Sequence, residues 1–141
     1  MPASNFLENA LLAHSLGKTT YTKPTKVYVA LATAKPTKET KGTTVTEPSY
    51  TGYKREEINS AELEEVEGGA ATASKFKNKL AQKLPLSSSG SAKIKSWFIA
   101  DSATTGAGNI LFYGDFAEEY EISPVVSVHE IAAKAMEIGS E

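Results

Sequence analysis

His129-Glu130 opens like a zinc-protease helix, in which a second histidine four positions on must face the same metal. Position 133 is alanine and His14 is the only other histidine, so a histidine zinc site would need distant carboxylates to complete it. Gly106-Ala-Gly108 has the start of a dinucleotide loop, but Leu111 stands where the third glycine belongs and a strand-like run follows. No Gly-Lys-Ser/Thr follows it either, which excludes a phosphate-binding loop. The serines between 87 and 91 lack the strained Gly-x-Ser-x-Gly elbow of a hydrolase nucleophile. Glu62, Glu64, Glu65 and Glu67 offer oxygens to a hard cation without the Asp/Asn and glycine spacing of a calcium loop, and read as a solvated acidic face. No catalytic residue, cofactor site or metal site is therefore expected.

Two further groups of residues carry physical information without chemistry. Trp97, Phe98, Phe112, Tyr113 and Phe116 fall within two neighbouring strand-like runs, where they read chiefly as core packing and secondarily as a contact platform. Arg55 is the only arginine among many lysines. A planar fork at one place points to a pinned carboxylate or a set of pinned carbonyls. A structural ion pair is the leading reading, and a subunit contact the second.

The elements that must position these residues are those of one small domain. A chain of 141 residues can bury about 68–70% of its unfolded surface in a single core. Hydrophobic residues at 40% and charged residues at 23% are ordinary for a folded globule. The net charge of -2 supplies no positive field for nucleic acid. The absence of cysteine excludes disulfides and thiolate metal sites. No run approaches the roughly 18 apolar residues of a membrane helix, and no secretory leader pattern opens the chain, so synthesis in the cytoplasm without a membrane partner is expected.

Residues 5–16 predict the one helix, with Asn5 as cap and Phe6, Leu7, Ala10, Leu11 and Leu12 as an apolar stripe before Gly17. From Lys18 onward period-two alternation dominates. Lys26–Thr33 predicts a strand covered on both faces. Residues 34–52 read as a long surface loop, and Tyr53–Ser60 as a strand. Residues 61–67 suit a helical turn or an edge strand equally, ended by Gly68-Gly69. Ser74–Leu84 predicts one extended strand with Phe76, Asn78, Leu80, Gln82 and Leu84 on one side. Ala92–Asp101 and Asn109–Phe116 form a hairpin, with Ile94, Ser96, Phe98 and Ala100 sharing a face. Glu118–Ser123 is a separate segment before Pro124, and a final strand or hairpin closes the chain. The expected class is mainly β: a single-domain antiparallel β-sandwich (18–141) preceded by a short helical arm (1–17).

Four short segments stand in fixed order: Val27–Thr33 with Pro36, Glu47-Pro48 running to Gly52-Tyr53-Lys54-Arg55, Trp97–Asp101, and Asn109–Gly114. In order and spacing, over most of residues 5–116, they resemble a family of small tailed-bacteriophage virion proteins. Its members are often labelled tail-fibre proteins, and proteins of this size also serve as head decoration, or cement, proteins. The resemblance implies a non-enzymatic virion component. The major capsid protein, or another virion protein, is the expected partner. Head decoration is the leading expectation, and a tail- or head-fibre module binding a host-surface receptor is the alternative. Small symmetric oligomers suit repeated lattices, so a homo-oligomer, with a trimer favoured, is expected. The residues expected at a partner surface are Phe6, Leu7, Leu11, Leu12 and Arg55.

Overall fold

The computed structural model describes residues 3–66, 75–126, 128–133 and 135–139. β1 (Val27–Ala32) sits where its two apolar faces require, inside a four-stranded antiparallel sheet. It pairs on one side with β2 (Glu56–Ile58) and on the other with β6 (Ala92–Ala100), which in turn pairs with β7 (Ile110–Ile122). β3 (Leu63–Val66), β4 (Lys75–Asn78) and β9 (Glu137–Gly139) form a three-stranded sheet; β5 (Gln82–Lys83) and β8 (Glu130–Ile131) form a two-stranded one.

The four-stranded sheet is apolar on both faces, as β1 predicts. On one face Val29, Leu31, Ile94, Trp97, Ile99 and Ile122 join Leu84, Ile131, Met136 and Ile138 from the segments of the smaller sheets. The other face holds Ala30, Ala32, Phe98, Ala100 and Ile110, with Val45 from the long loop packed on it. The result is the expected antiparallel β domain, layered, with one short helix. The aromatic residues go largely to packing: Phe98 and Trp97 are buried, and Phe112, Tyr113 and Phe116 are half-buried.

Several local expectations change for identifiable reasons. The helix α1 (Asn5–Ser15) is capped by Ser4, whose Oγ accepts the Leu7 N–H at 3.2 Å. Ser4 is fixed in place by its own N–H to Leu111 O at 2.9 Å and by an Oγ bond to Ile110 O, so it, rather than Asn5, has the extended backbone a cap needs. At the other end Gly17 has φ +73°, and Lys18 N–H bonds Ala13 O at 2.9 Å, the left-handed stop that glycine permits.

The predicted strand 74–84 is broken in two. Asn78 is buried at the break; its Nδ2 donates to Leu80 O at 2.8 Å and Ala132 O at 3.0 Å, while its Oδ1 accepts Met136 N–H at 3.0 Å. One side chain thereby replaces the ladder bonds that a continuous strand would make. Residues 60–66 take both expected forms, a 3-10 turn at Ser60–Glu62 and then β3. Glu67, the Gly68-Gly69 break and Ser74 lie outside the described residues.

A register shift between Ile94 and Ser96 puts Ile94 in the same core as Trp97 and Ile99, on the face opposite Phe98 and Ala100. That corrects the simple alternation expected for β6: across the shift the two steps from Ile94 to Ser96 face the five from Tyr120 back to Asp115, so the extra residues lie on β7. β7 absorbs the shift too and runs unbroken through Ala117 to Ile122 as one strand of 13 residues. The chain's last strands pair with β4 and β5 rather than with each other.

Candidate functional site

The two long loops, 33–52 and 101–109, are bound to the sheet and to each other through one buried polar cluster. Arg55 lies just before β2, and its side chain is fully buried, as is nearly all of the Glu47 side chain. The pair is bidentate: Nε donates to Glu47 Oε1 and Nη2 to Oε2, both at 2.9 Å. Nη1 donates to Ser102 O at 2.9 Å and Ala107 O at 2.8 Å, and Nη2 reaches Gly42 O at 3.5 Å. The guanidinium carbon stands 5.4 Å from the centre of the Phe98 ring, in reach of its negative face.

Glu47 is equally engaged. Besides Arg55 it accepts the Tyr53 hydroxyl at 2.6 Å and the Gly106 N–H at 2.8 Å. Tyr53 Oη in turn accepts Leu31 N–H at 3.2 Å, beyond the end of the β1–β2 ladder, where β2 no longer supplies a partner. Burial, and then the Glu47 carboxylate as hydrogen-bond acceptor, push the Tyr53 hydroxyl far above the ordinary tyrosine range, so it stays a donor at all working pH values. Beside the cluster, Asp101 holds the loop neck by accepting Asn109 N–H at 2.8 Å and Asn109 Nδ2 at 3.0 Å.

Arg55 uses all five of its N–H groups and Glu47 takes four donors, which saturates both. The cluster can hold loops; it has no valence left for a substrate or a metal. Glycine is required where the loops meet, since a Cβ on Gly42 would fall within 3.0 Å of the carbonyl oxygens of Ala107 and Gly108.

The other sequence-level candidates are dispersed. His14 Nδ1 accepts Tyr21 N–H at 3.1 Å at the end of α1, while His129 precedes β8 beside Leu84, Leu86 and Val128. Burial lowers the His129 pKa to about 4. Ser87 Oγ donates to Gly90 O at 2.6 Å inside its own turn. Among the described residues no group of three or more histidines and carboxylates could hold a metal ion, and no helix is long and apolar enough to cross a membrane.

What the domain does present is the outer side of α1. Leu7 turns inward and is 5% exposed, whereas Leu11, Leu12 and Leu16 are 44%, 60% and 74% exposed, with Phe6 at 39%. Leu12 and Leu16 are one helical turn apart and form a ridge away from the sheet. Of the five residues expected at a partner surface, Phe6, Leu11 and Leu12 lie at the surface; Leu7 belongs to the domain's own core and Arg55 to the buried ion pair. Leu16, the C-cap residue beyond the predicted stripe, lies at the surface with Phe6, Leu11 and Leu12. Glu47 was missed as the partner of Arg55 because it comes from a loop, not from a neighbouring strand. Its one sequence signal is that it is one of only two carboxylates between residues 34 and 52.

The segments that carry the family resemblance thus converge on the buried cluster: Glu47, Tyr53, Arg55, Asp101 and Asn109 hold the loops together, and the helix ridge lies outside that set. None of the curated proteins compared with the chain matches it. A family model described as podophage GP4 fiber I protein gp80 matches residues 2–138. That match spans nearly the whole chain, and the protein belongs to this family of small tailed-phage virion proteins, labelled fibre proteins.

Proposed function

We propose that the protein is a non-enzymatic structural module of a phage fibre, seated on a neighbouring virion protein through the exposed ridge of α1. The observation that carries this reading is the contrast between the two ends of the domain's chemistry. Its charged cluster is saturated internally, while Leu12 and Leu16 stand 60% and 74% exposed on a helix that Ser4 ties to β7. Single exposed leucines are common, but a contiguous apolar ridge on a fixed helix is the form an interaction surface takes. The family label supports a fibre over head decoration and so reverses the order expected from the sequence.

The loops held by Arg55 and Glu47 are the second exposed feature; loop 33–52 is tied to the first turn of α1 by Asn5 N–H to Lys38 O at 2.8 Å and by the Lys38–Glu8 ion pair at 2.9 Å, so helix and loops form one pre-organised unit. Copy number in purified particles, together with antibody labelling by electron microscopy, tests the placement. Labelling on the fibres at a few copies per fibre supports it. Uniform labelling over the head would restore the decoration reading, and absence from particles would end both.

A further inference from the structure

Just before β1 the chain runs from Thr22 to Lys26, with a bend at Thr25, without joining a strand pair. Ladder pairing on the β2 side ends at Val27 with Ile58. Among the described residues, no backbone hydrogen bond ties Thr22–Thr25 to another element. The place a longer β2 would fill is an open groove of about 860 Å³ lined by Lys23, Pro24, Thr25, Lys26, Glu57 and Ile58. Segment 18–26 carries Lys18, Lys23 and Lys26 and no carboxylate. Lys26 pairs with Glu57 at 3.3 Å, and among the described residues no ion pair engages Lys23.

On the far side of the same sheet β7 is the outermost strand, and its second half has the opposite character. Residues 115–121 hold Asp115, Glu118, Glu119 and Glu121 and no base. Ala117, Glu118, Glu119 and Glu121 are exposed. Asp115 pairs with Lys35, and Glu119 with Lys93 and Lys95, while among the described residues no ion pair engages Glu118 or Glu121. Among the described residues, Ala3 and Ser4 cover the start of this edge, through Ile110, Leu111 and Phe112.

A strand edge of one sign repels its own copy and so does not pair with itself. It is attracted to an open backbone flanked by lysines. We propose that the outer edge of β7, residues 117–121, of one copy enters the groove beside Lys23–Lys26 of a second copy by strand addition. The two surfaces differ, so the contact is head-to-tail, and repeated head-to-tail contacts close into a ring when the rotation allows. The contact uses neither the α1 ridge nor the loops held by Arg55, and it holds wherever on the particle the protein sits.

Size exclusion with light scattering on the full chain tests this. The wild type should form an oligomer whose mass is a multiple of 15.0 kDa and which weakens as salt rises. Lys23→Glu with Lys26→Glu should give monomers, as should Glu118→Lys with Glu121→Lys. All four changes in one chain should restore the oligomer, since each contact again joins opposite charges. Thermal melts of monomeric variants check that they are folded, the altered side chains being exposed. A wild type that stays monomeric up to high concentration overturns the proposal. So does a folded two-site variant that keeps the wild-type mass, or a folded four-site variant that remains monomeric.

Discussion

Arg55 shows how one side chain can set the shape of two loops. Its fork joins Glu47 and the carbonyl of Gly42 in one loop to the carbonyls of Ser102 and Ala107 in the other. Removing one member of a buried pair leaves the other charged and desolvated, which costs about 3–5 kcal/mol. Arg55→Ala and Glu47→Ala should therefore each lower stability by roughly that amount, and the double variant by clearly less than their sum. Urea unfolding of the four proteins measures the cycle; additive losses would mean the two residues act separately. The need for a guanidinium was legible in the sequence because Arg55 is the only arginine. Its carboxylate partner was not, because pairing with a residue eight positions back depends on how the loop folds over the sheet.

At the scale of elements, α1 divides its apolar residues between two tasks. Leu7 packs into the core with Ala3, Leu111 and the sheet, so Leu7→Ala should cost about 2–5 kcal/mol. Leu12→Ala removes an exposed side chain and should change stability by less than about 0.5 kcal/mol. Thermal melts separate the two, and equal losses would place Leu12 in the core as well. The C-terminal segment is governed differently. His129 O accepts Leu84 N–H at 2.9 Å where β8 closes against β5, and burial holds the ring neutral with a pKa of about 4 against 6.5 when unfolded.

Between those values the unfolded chain binds the extra proton, so stability contributed by neutral His129 is fully present above pH 6.5 and is lost as pH falls toward 4. The melting temperature of the wild type should drop more over that window than that of His129→Gln; parallel curves would contradict this. β1 was legible because both of its faces are apolar, and α1 because of its stripe and its glycine stop. The break between β4 and β5 was not. It depends on Asn78 meeting Ala132 and Met136, more than fifty residues away, and alternation continues through it in sequence.

For the whole molecule, the residues that mark the family and the residues that face outward are different sets. Order and spacing of short segments identified the former, since they encode a loop geometry that glycines and one ion pair enforce. The outward surface was legible only as an excess of apolar residues on one helix, because which leucines turn inward is decided by the docking of Ser4 against β7. The most direct measurement compares attachment with folding in a single pair of proteins. Leu12→Asp with Leu16→Asp changes the ridge alone, and its occupancy on purified particles is to be set beside its melting temperature. Seating through α1 predicts a melting temperature within a few degrees of wild type and at least a tenfold loss of occupancy. Unchanged occupancy by a folded variant would contradict it.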